Sequence, residues 1–134
     1  MTDNNSFLLR VITPDRVFYE NQVQMVEFDT TEGEIGVLPG HIPMTVIIRP
    51  GILTITEAGG DKEAALHAGF AEILPDRVTI LAEIIEWPDE IDEERATAAL
   101  ERAKARLREK ASTTDLARAE LALQRAVARI EVIR

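Results

Sequence analysis

The chain has no cysteine among its 134 residues, which excludes a disulfide framework and thiolate chemistry. It has only two histidines, and no pair of histidines or carboxylates shows the spacing of a zinc site. The strings G-x-S-x-G and G-x-x-x-x-G-K-[ST] are also missing, so neither a serine nucleophile elbow nor a P-loop is indicated. We therefore expect a protein that is not an enzyme and that holds no metal.

Aromatic residues make up only 4% of the chain, so we expect an aliphatic core. No run approaches the ~18 apolar residues of a membrane span, and the first ten residues lack the basic and apolar regions of a signal peptide. The net charge of −9 disfavours nucleic acid and anionic lipid as partners. We expect a cytosolic protein with no membrane span of its own.

The acidic excess lies in one part of the chain. Residues 1–88 hold 5 basic and 14 acidic side chains, a net charge of −9, whereas residues 89–134 hold 10 of each. The composition changes at Trp87-Pro88-Asp89. We therefore predict two domains, residues 1–88 and residues 89–134.

The first domain is predicted to consist of short strands. Pro-Asp, Pro-Gly and Gly-Gly-Asp turn signals recur every 7–12 residues with no helical period between them. They separate β-branched and apolar segments at 8–12, 17–19, 23–28, 44–49, 52–56, 64–68, 70–74 and 78–82. This pattern is typical of an all-β protein, and we predict an antiparallel β-sandwich or barrel.

The second domain is predicted to be two helices. Residues 92–110 lack glycine and proline and are rich in good helix formers, with Asp89 or Asp92 as the N-cap. A polar break at 112–115 precedes a second helix at 116–133, which makes an antiparallel hairpin. Its apolar stripes are Ala96, Ala99, Leu100, Ala103 and Leu107, then Leu116, Ala119, Leu123, Ala126, Val127 and Ile130. These small side chains bury little apolar area. The hairpin must therefore be stabilised by further contacts, with its own β domain, a partner or a ligand.

Arginines recur on one face of each predicted helix. Arg95, Arg102 and Arg106 are spaced 7 and 4 apart, and Arg118, Arg125 and Arg129 repeat that spacing. A solvated face with ion pairs explains this pattern. An anion site explains it as well, because guanidinium groups grip phosphate or carboxylate bidentately.

The most distinctive string is GEIGVLPGHIPM at residues 33–44. By composition it is a bent hairpin corner with a tight turn at Leu38-Pro39-Gly40. As a string it closely resembles the signature of the epsilon subunit of bacterial and chloroplast F-type ATP synthases. V-x-T-P-x-R at 11–16, R-P-G-I-L at 49–53 and G-x-x-x-x-x-P-D-x-V-T-I-L-A at 69–82 extend the resemblance over nearly the whole chain.

The resemblance implies a non-catalytic rotor subunit, peripheral on the cytoplasmic face of the bacterial cell membrane, in a complex that couples proton flow to ATP synthesis. It implies that the sandwich binds the gamma subunit and the polar loops of the c-ring. The expected rotor interface is Glu32, Glu34, Pro39, His41 and Met44. The alternative is a free-standing β-sandwich regulator that binds a small anion.

The resemblance further implies a mobile hairpin that permits hydrolysis when folded down and blocks it when its basic second helix reaches the alpha and beta catalytic subunits. In some members ATP binds the folded hairpin through an I/L-D-x-x-R-A motif, which residues 91–96 match. The expected regulatory ligand is ATP, with or without Mg²⁺. The expected ATP site is Ile91, Asp92, Arg95, Ala96, Arg125 and Arg129.

Overall fold

The computed structural model describes residues 5–109 and 113–134. Eight strands precede a short 3-10 turn and two helices. Their bounds are β1 Phe7–Ile12, β2 Val17–Val23, β3 Met25–Thr30, β4 Gly33–Val37, β5 Met44–Ile48, β6 Gly51–Glu57, β7 Gly60–Leu74, β8 Arg77–Glu86, the turn Pro88–Glu90, α1 Glu93–Arg108 and α2 Thr113–Ile133. The predicted fold class, a β-sandwich followed by a two-helix hairpin, is confirmed.

The strands are ordered β2-β1-β8-β7-β5-β3-β4, and β6 pairs with both β3 and β7. Strand β7 holds the sandwich together, because its first half pairs with β6 and its second half with β5. One pairing, between β1 and β8, is parallel. The core between the layers is mainly aliphatic, with Leu9, Leu53, Ile55, Ile73 and Ile80 fully buried.

The prediction of two separate strands at 64–68 and 70–74 is wrong, since β7 runs unbroken through Gly69. Gly69 has a φ of 142°, which lets the strand bend without ending. A Cβ at this position would lie 2.0 Å from the carbonyl oxygen of Leu81 on β8. The glycine that reads as a break in the sequence therefore serves a close approach between two paired strands.

The helices start close to the predicted positions. Asp92 is the N-cap of α1, and its Oδ1 accepts a hydrogen bond from the backbone N–H of Arg95 at 3.2 Å. Helix α1 ends at Arg108 rather than at Lys110, which lies outside the described residues. Helix α2 begins at Thr113, three residues earlier than predicted. The polar residues of the predicted break are of types that suit the first turn of a helix.

Small side chains line both the contact between the two helices and the contact of α2 with the sandwich. Ala96, Ala103, Ala119 and Ala126 are buried, as their predicted stripes require. Val127 was expected in the stripe but is 36% exposed, because α2 instead turns Ala128 and Val132 toward Ala65 of β7. The sequence left three possible contacts to stabilise the hairpin: its own β domain, a partner or a ligand. The structure shows contact with the β domain.

The junction between the domains is anchored at Trp87. Its ring stacks on Phe18 of β2 at 4.3 Å between centroids. Just beyond it, Arg16 Nη2 donates to both carboxylate oxygens of Glu90, at 2.8 and 3.0 Å. An ion pair therefore joins the start of the hairpin to the sandwich. Within the ranges 5–109 and 113–134, neither helix has the length and hydrophobicity needed to span a membrane.

Candidate nucleotide site between the hairpin and the sandwich

A cleft of about 290 Å³ lies where the end of β8, the 3-10 turn, the start of α1 and the last turns of α2 meet. Its walls combine apolar, acidic and basic side chains from both domains. They are Glu86, Glu90, Ile91, Asp92, Arg95, Ala96, Ala99, Arg102 and Arg129. The cleft is therefore formed jointly by the sandwich and both helices.

The start of α1 places the motif residues at the cleft. Ile91 is in an extended conformation just before the helix, and Asp92 uses one carboxylate oxygen as the N-cap. Arg95 in the first turn and Arg102 two turns later are 7 residues apart, and both line the cleft. Ala96 and Ala99 lie between them and provide small apolar contacts.

Helix α2 is tied to the sandwich by Arg129. Its Nε donates to Oε1 of Glu86 at 2.7 Å, and both side chains are about three-quarters buried. The same oxygen accepts a hydrogen bond from Nε2 of the buried His67 at 2.9 Å. A charge-assisted hydrogen bond of this kind is among the stronger polar contacts in a protein. It is one of the direct links between α2 and β8.

The cleft keeps positive charge available for a ligand. Glu90 is occupied by Arg16 and by the backbone N–H of Trp87, which lies 2.9 Å from its Oε1. The hydrogen bond from Trp87, and then that from Arg16, lower the pKa of Glu90. The Glu90 carboxylate is thus ionised, and both of its oxygens already accept hydrogen bonds from Arg16. Arg95 and Arg102 are exposed, so their guanidinium forks can turn to a polyanion in the cleft.

Five of the six predicted ATP-site residues line this cleft, namely Ile91, Asp92, Arg95, Ala96 and Arg129. Arg125 does not line it, although its charge acts on His67 nearby. Sequence reasoning missed Glu86, Glu90 and Ala99 and left Arg102 out of the site. The spacing of 7 from Arg95 was a signal for Arg102, whereas a glutamate at a strand end, such as Glu86, carries none.

The predicted rotor-interface residues divide between the two ends of β4. Glu32 is exposed in the β3–β4 turn and Glu34 is exposed on β4. Pro39, His41 and Met44 lie beyond the other end, roughly 13 Å away along the strand. The five side chains therefore lie near both ends of β4, and their assignment to a rotor interface stays a prediction.

The turn after β4 is rigid and partly apolar. Gly40 has a φ of 83°, and its N–H donates to the carbonyl oxygen of Pro75 at 2.8 Å. Leu38 and Ile42 are 56% and 72% exposed. These two residues were not among the predicted interface residues, although both belong to the string at 33–44.

The chain folds as a β-sandwich followed by a helical hairpin, with a cleft between them that three arginines and three carboxylates line. The family model described as the beta-sandwich domain of the ATP synthase delta/epsilon chain matches residues 6–88. The model described as its long alpha-helix domain matches residues 89–134. The chain belongs to the ATP synthase delta/epsilon chain family, and as an epsilon subunit of the central stalk it is a regulatory and structural rather than a catalytic component.

Curated relatives and solved structures agree with this family. The ATP synthase epsilon chain of Caldanaerobacter subterraneus is 46% identical over 130 residues, which covers 96% of this chain and 94% of the relative. That of Bacillus velezensis is 44% identical over 124 residues, covering 92% and 94%. A chain of the Euglena gracilis mitochondrial ATP synthase, in a structure of OSCP, F1 and c-ring, superposes with a TM-score of 0.83 at 26% identity, covering 97% and 82%.

Proposed function

We propose that this subunit inhibits ATP hydrolysis through its C-terminal hairpin, and that ATP bound in the cleft holds the hairpin docked and non-inhibitory. The observation that carries the proposal is the cleft itself. Residues of the I/L-D-x-x-R-A motif and Arg129, far apart in sequence, line one space that the docked hairpin closes. The ligand is ATP, with or without Mg²⁺.

The composition of the cleft suits a nucleoside triphosphate. Arg95, Arg102 and Arg129 offer three guanidinium groups to the phosphates, and each can donate two parallel hydrogen bonds. Ile91, Ala96 and Ala99 give an apolar wall for the base. The carboxylate oxygen of Asp92 that does not cap α1 is left to accept from the nucleoside. We assign Arg125 a supporting role through the charge it adds beside the site.

Weak packing against the sandwich suits a hairpin that exchanges between a docked and a released position. Its contact with the sandwich rests on small groups, with Ala65, Ala128 and Val132 at the centre, so docking buries little apolar area. ATP binds the docked form because only that form has the cleft. ATP therefore shifts the equilibrium between released and docked hairpin toward the docked form. The size of the shift is limited by the difference in ATP affinity between the two forms.

We propose the remaining partners from the family to which the chain belongs. We assign the sandwich to contacts with gamma and with the polar loops of the c-ring, through the two ends of β4 and the exposed turn at 38–42. The released helices would reach the alpha and beta catalytic subunits. We also propose that the subunit lies peripherally at the cytoplasmic face of the bacterial membrane, in a complex that couples proton flow to ATP synthesis. A free-standing anion-binding regulator gains no support, because the family match covers both domains.

Isothermal titration of the whole chain with ATP tests the nucleotide site. We expect one bound ATP, with an affinity about tenfold or more weaker in Arg95→Ala, because that variant loses a charge-assisted hydrogen bond to phosphate. Arg125→Ala is expected to weaken binding less, since Arg125 does not line the cleft. Arg108→Ala, at the exposed end of α1, is the matched control. No heat of binding at millimolar ATP, or equal affinity in all four proteins, would remove the site.

A further inference from the structure

His67 is placed at the domain interface by an irregularity in the sheet. Leu66 pairs with Ile85 and Ala68 pairs with Ile84, so β7 has one extra residue, His67, at a β-bulge. A bulge re-aims the side chain of the extra residue. The ring of His67 is 1% exposed and touches Glu86 of β8.

The contacts of the ring favour one tautomer of neutral His67. Nε2 lies 2.9 Å from Oε1 of Glu86, and because an ionised carboxylate only accepts, Nε2 carries the proton. Nδ1 is buried and has no hydrogen-bond partner among the described residues. Neutral His67 therefore fits the site, whereas a proton on Nδ1 would place a buried N–H without an acceptor.

Charged residues on two elements, β8 and α2, act on this ring. Glu86 on β8 favours a positive ring, and Arg129 and Arg125 on α2 disfavour it. Burial is the largest cause, and it lowers the pKa of His67 below 6.5; the arginines act in the same direction, and Glu86 opposes them only in part. A positive ring would also be repelled by the guanidinium of Arg129, which contacts the same oxygen Oε1 of Glu86.

We propose that His67 is a positioning residue that latches the docked hairpin: the neutral ring aims Glu86 at Arg129, and a proton on Nδ1 breaks the latch and releases α2. The inference rests on the mobility of the hairpin, which is part of the proposed function. No phosphate contact is assigned to His67. It acts on the ATP site only through Glu86 and Arg129.

The direction of the pH effect follows from linkage. In the released state Arg125 and Arg129 leave and water reaches the ring, while Glu86 stays beside it on the neighbouring strand. Both causes that lower the pKa of His67 are then gone, so the released state binds the proton more tightly. Docking is at full strength above the pKa of His67 in the released state, and it weakens as pH falls from there toward the lowered pKa of the docked state. Over that range the docked-to-released ratio falls by up to about tenfold per pH unit, as one proton requires.

The absence of native cysteine makes the test direct. Ala58→Cys in the β6–β7 turn and Ala117→Cys on α2 replace two exposed residues, and a spin-label pair there reports the docked and released populations of the full chain. Between pH 7.5 and 5.5, without ATP, we expect the released fraction to rise. His67→Gln keeps a donor for Glu86 but cannot take up the proton, so its populations should stay constant. His41→Gln, the same change at the other histidine, should behave like the parent.

Equal pH dependence in the parent and in His67→Gln, or none in the parent, would overturn the latch. NMR of the ring nitrogens and ring protons of His67, in the chain without introduced cysteines or spin labels, gives a second measurement. It needs no variant. We expect the Nε2–H tautomer and a midpoint below 6.5, and a midpoint at or above 6.5 would also overturn it. Failure of ATP to change the docked and released populations at pH 7.5 would count against the proposed function alone. The latch is tested separately, by the pH dependence of those populations without ATP.

Discussion

Truncation of the chain after Pro88 is expected to raise ATP hydrolysis by the parent complex several-fold while ATP synthesis stays coupled. The reason is the inhibitory role that we propose for the hairpin. From Arg102 to Arg134 it has nine basic and four acidic residues, which suits acidic segments of the catalytic subunits. The measurement is steady-state hydrolysis by the reconstituted complex with the full and the truncated subunit.

The truncated subunit should fold, because its main core is built from strand residues and is separate from the small cluster under α2. Removal of the hairpin exposes Ile52 and Ala65 of that cluster, so circular dichroism and gel filtration of the truncated chain are needed as a control. Unchanged hydrolysis with a folded, incorporated sandwich would contradict the inhibitory role of the hairpin.

Arg129→Ala is expected to lower both the docked-to-released ratio and the ATP affinity by about tenfold or more. The guanidinium has two roles, since its Nε holds Glu86 at 2.7 Å and the side chain also lines the cleft. A hydrogen bond between charged groups contributes about 1.5–3 kcal/mol, and its loss leaves Glu86 with only His67. The spin-label pair measures docking, and titration calorimetry measures ATP binding.

The matched control is Arg118→Ala, an arginine on the same helix that is exposed, and it should change neither quantity by more than about twofold. A double-mutant cycle with Glu86→Gln separates the two roles of Arg129. The docking effects of the two substitutions should not add, because each removes the same contact. If they add fully, the contact between Arg129 and Glu86 does not hold the hairpin.

The fold was predictable because its signals are local. Turn signals and β-branched runs predicted the sandwich, and helix composition with an Asp92 cap predicted the hairpin. The break expected at Gly69 was wrong, since a positive φ can bend a strand as well as end it. Likewise, Val127 fits the helical period but is exposed. The face that α2 buries depends on Ala65 of the sandwich, which no pattern within the helix can reveal.

The site was predictable only where a motif or a spacing marked it. Residues 91–96 form one string, and the arginine spacing indicated a shared face. Glu86 and His67 could not be found in this way, because their importance depends on a β-bulge and on the docking of α2. Contacts between domains are set by three-dimensional packing, and a single sequence has no periodic signal for them.

Control of the hairpin by ATP is tested most directly by amide hydrogen exchange of the full chain at pH 7.5, with and without saturating ATP. Exchange reports local opening, so ATP that holds the hairpin docked should slow exchange across 116–133 of α2 while leaving β1 to β6 unchanged. The same experiment on Arg95→Ala should need more ATP to reach the same protection. Identical exchange rates in α2 with and without bound ATP would contradict control of the hairpin by the nucleotide.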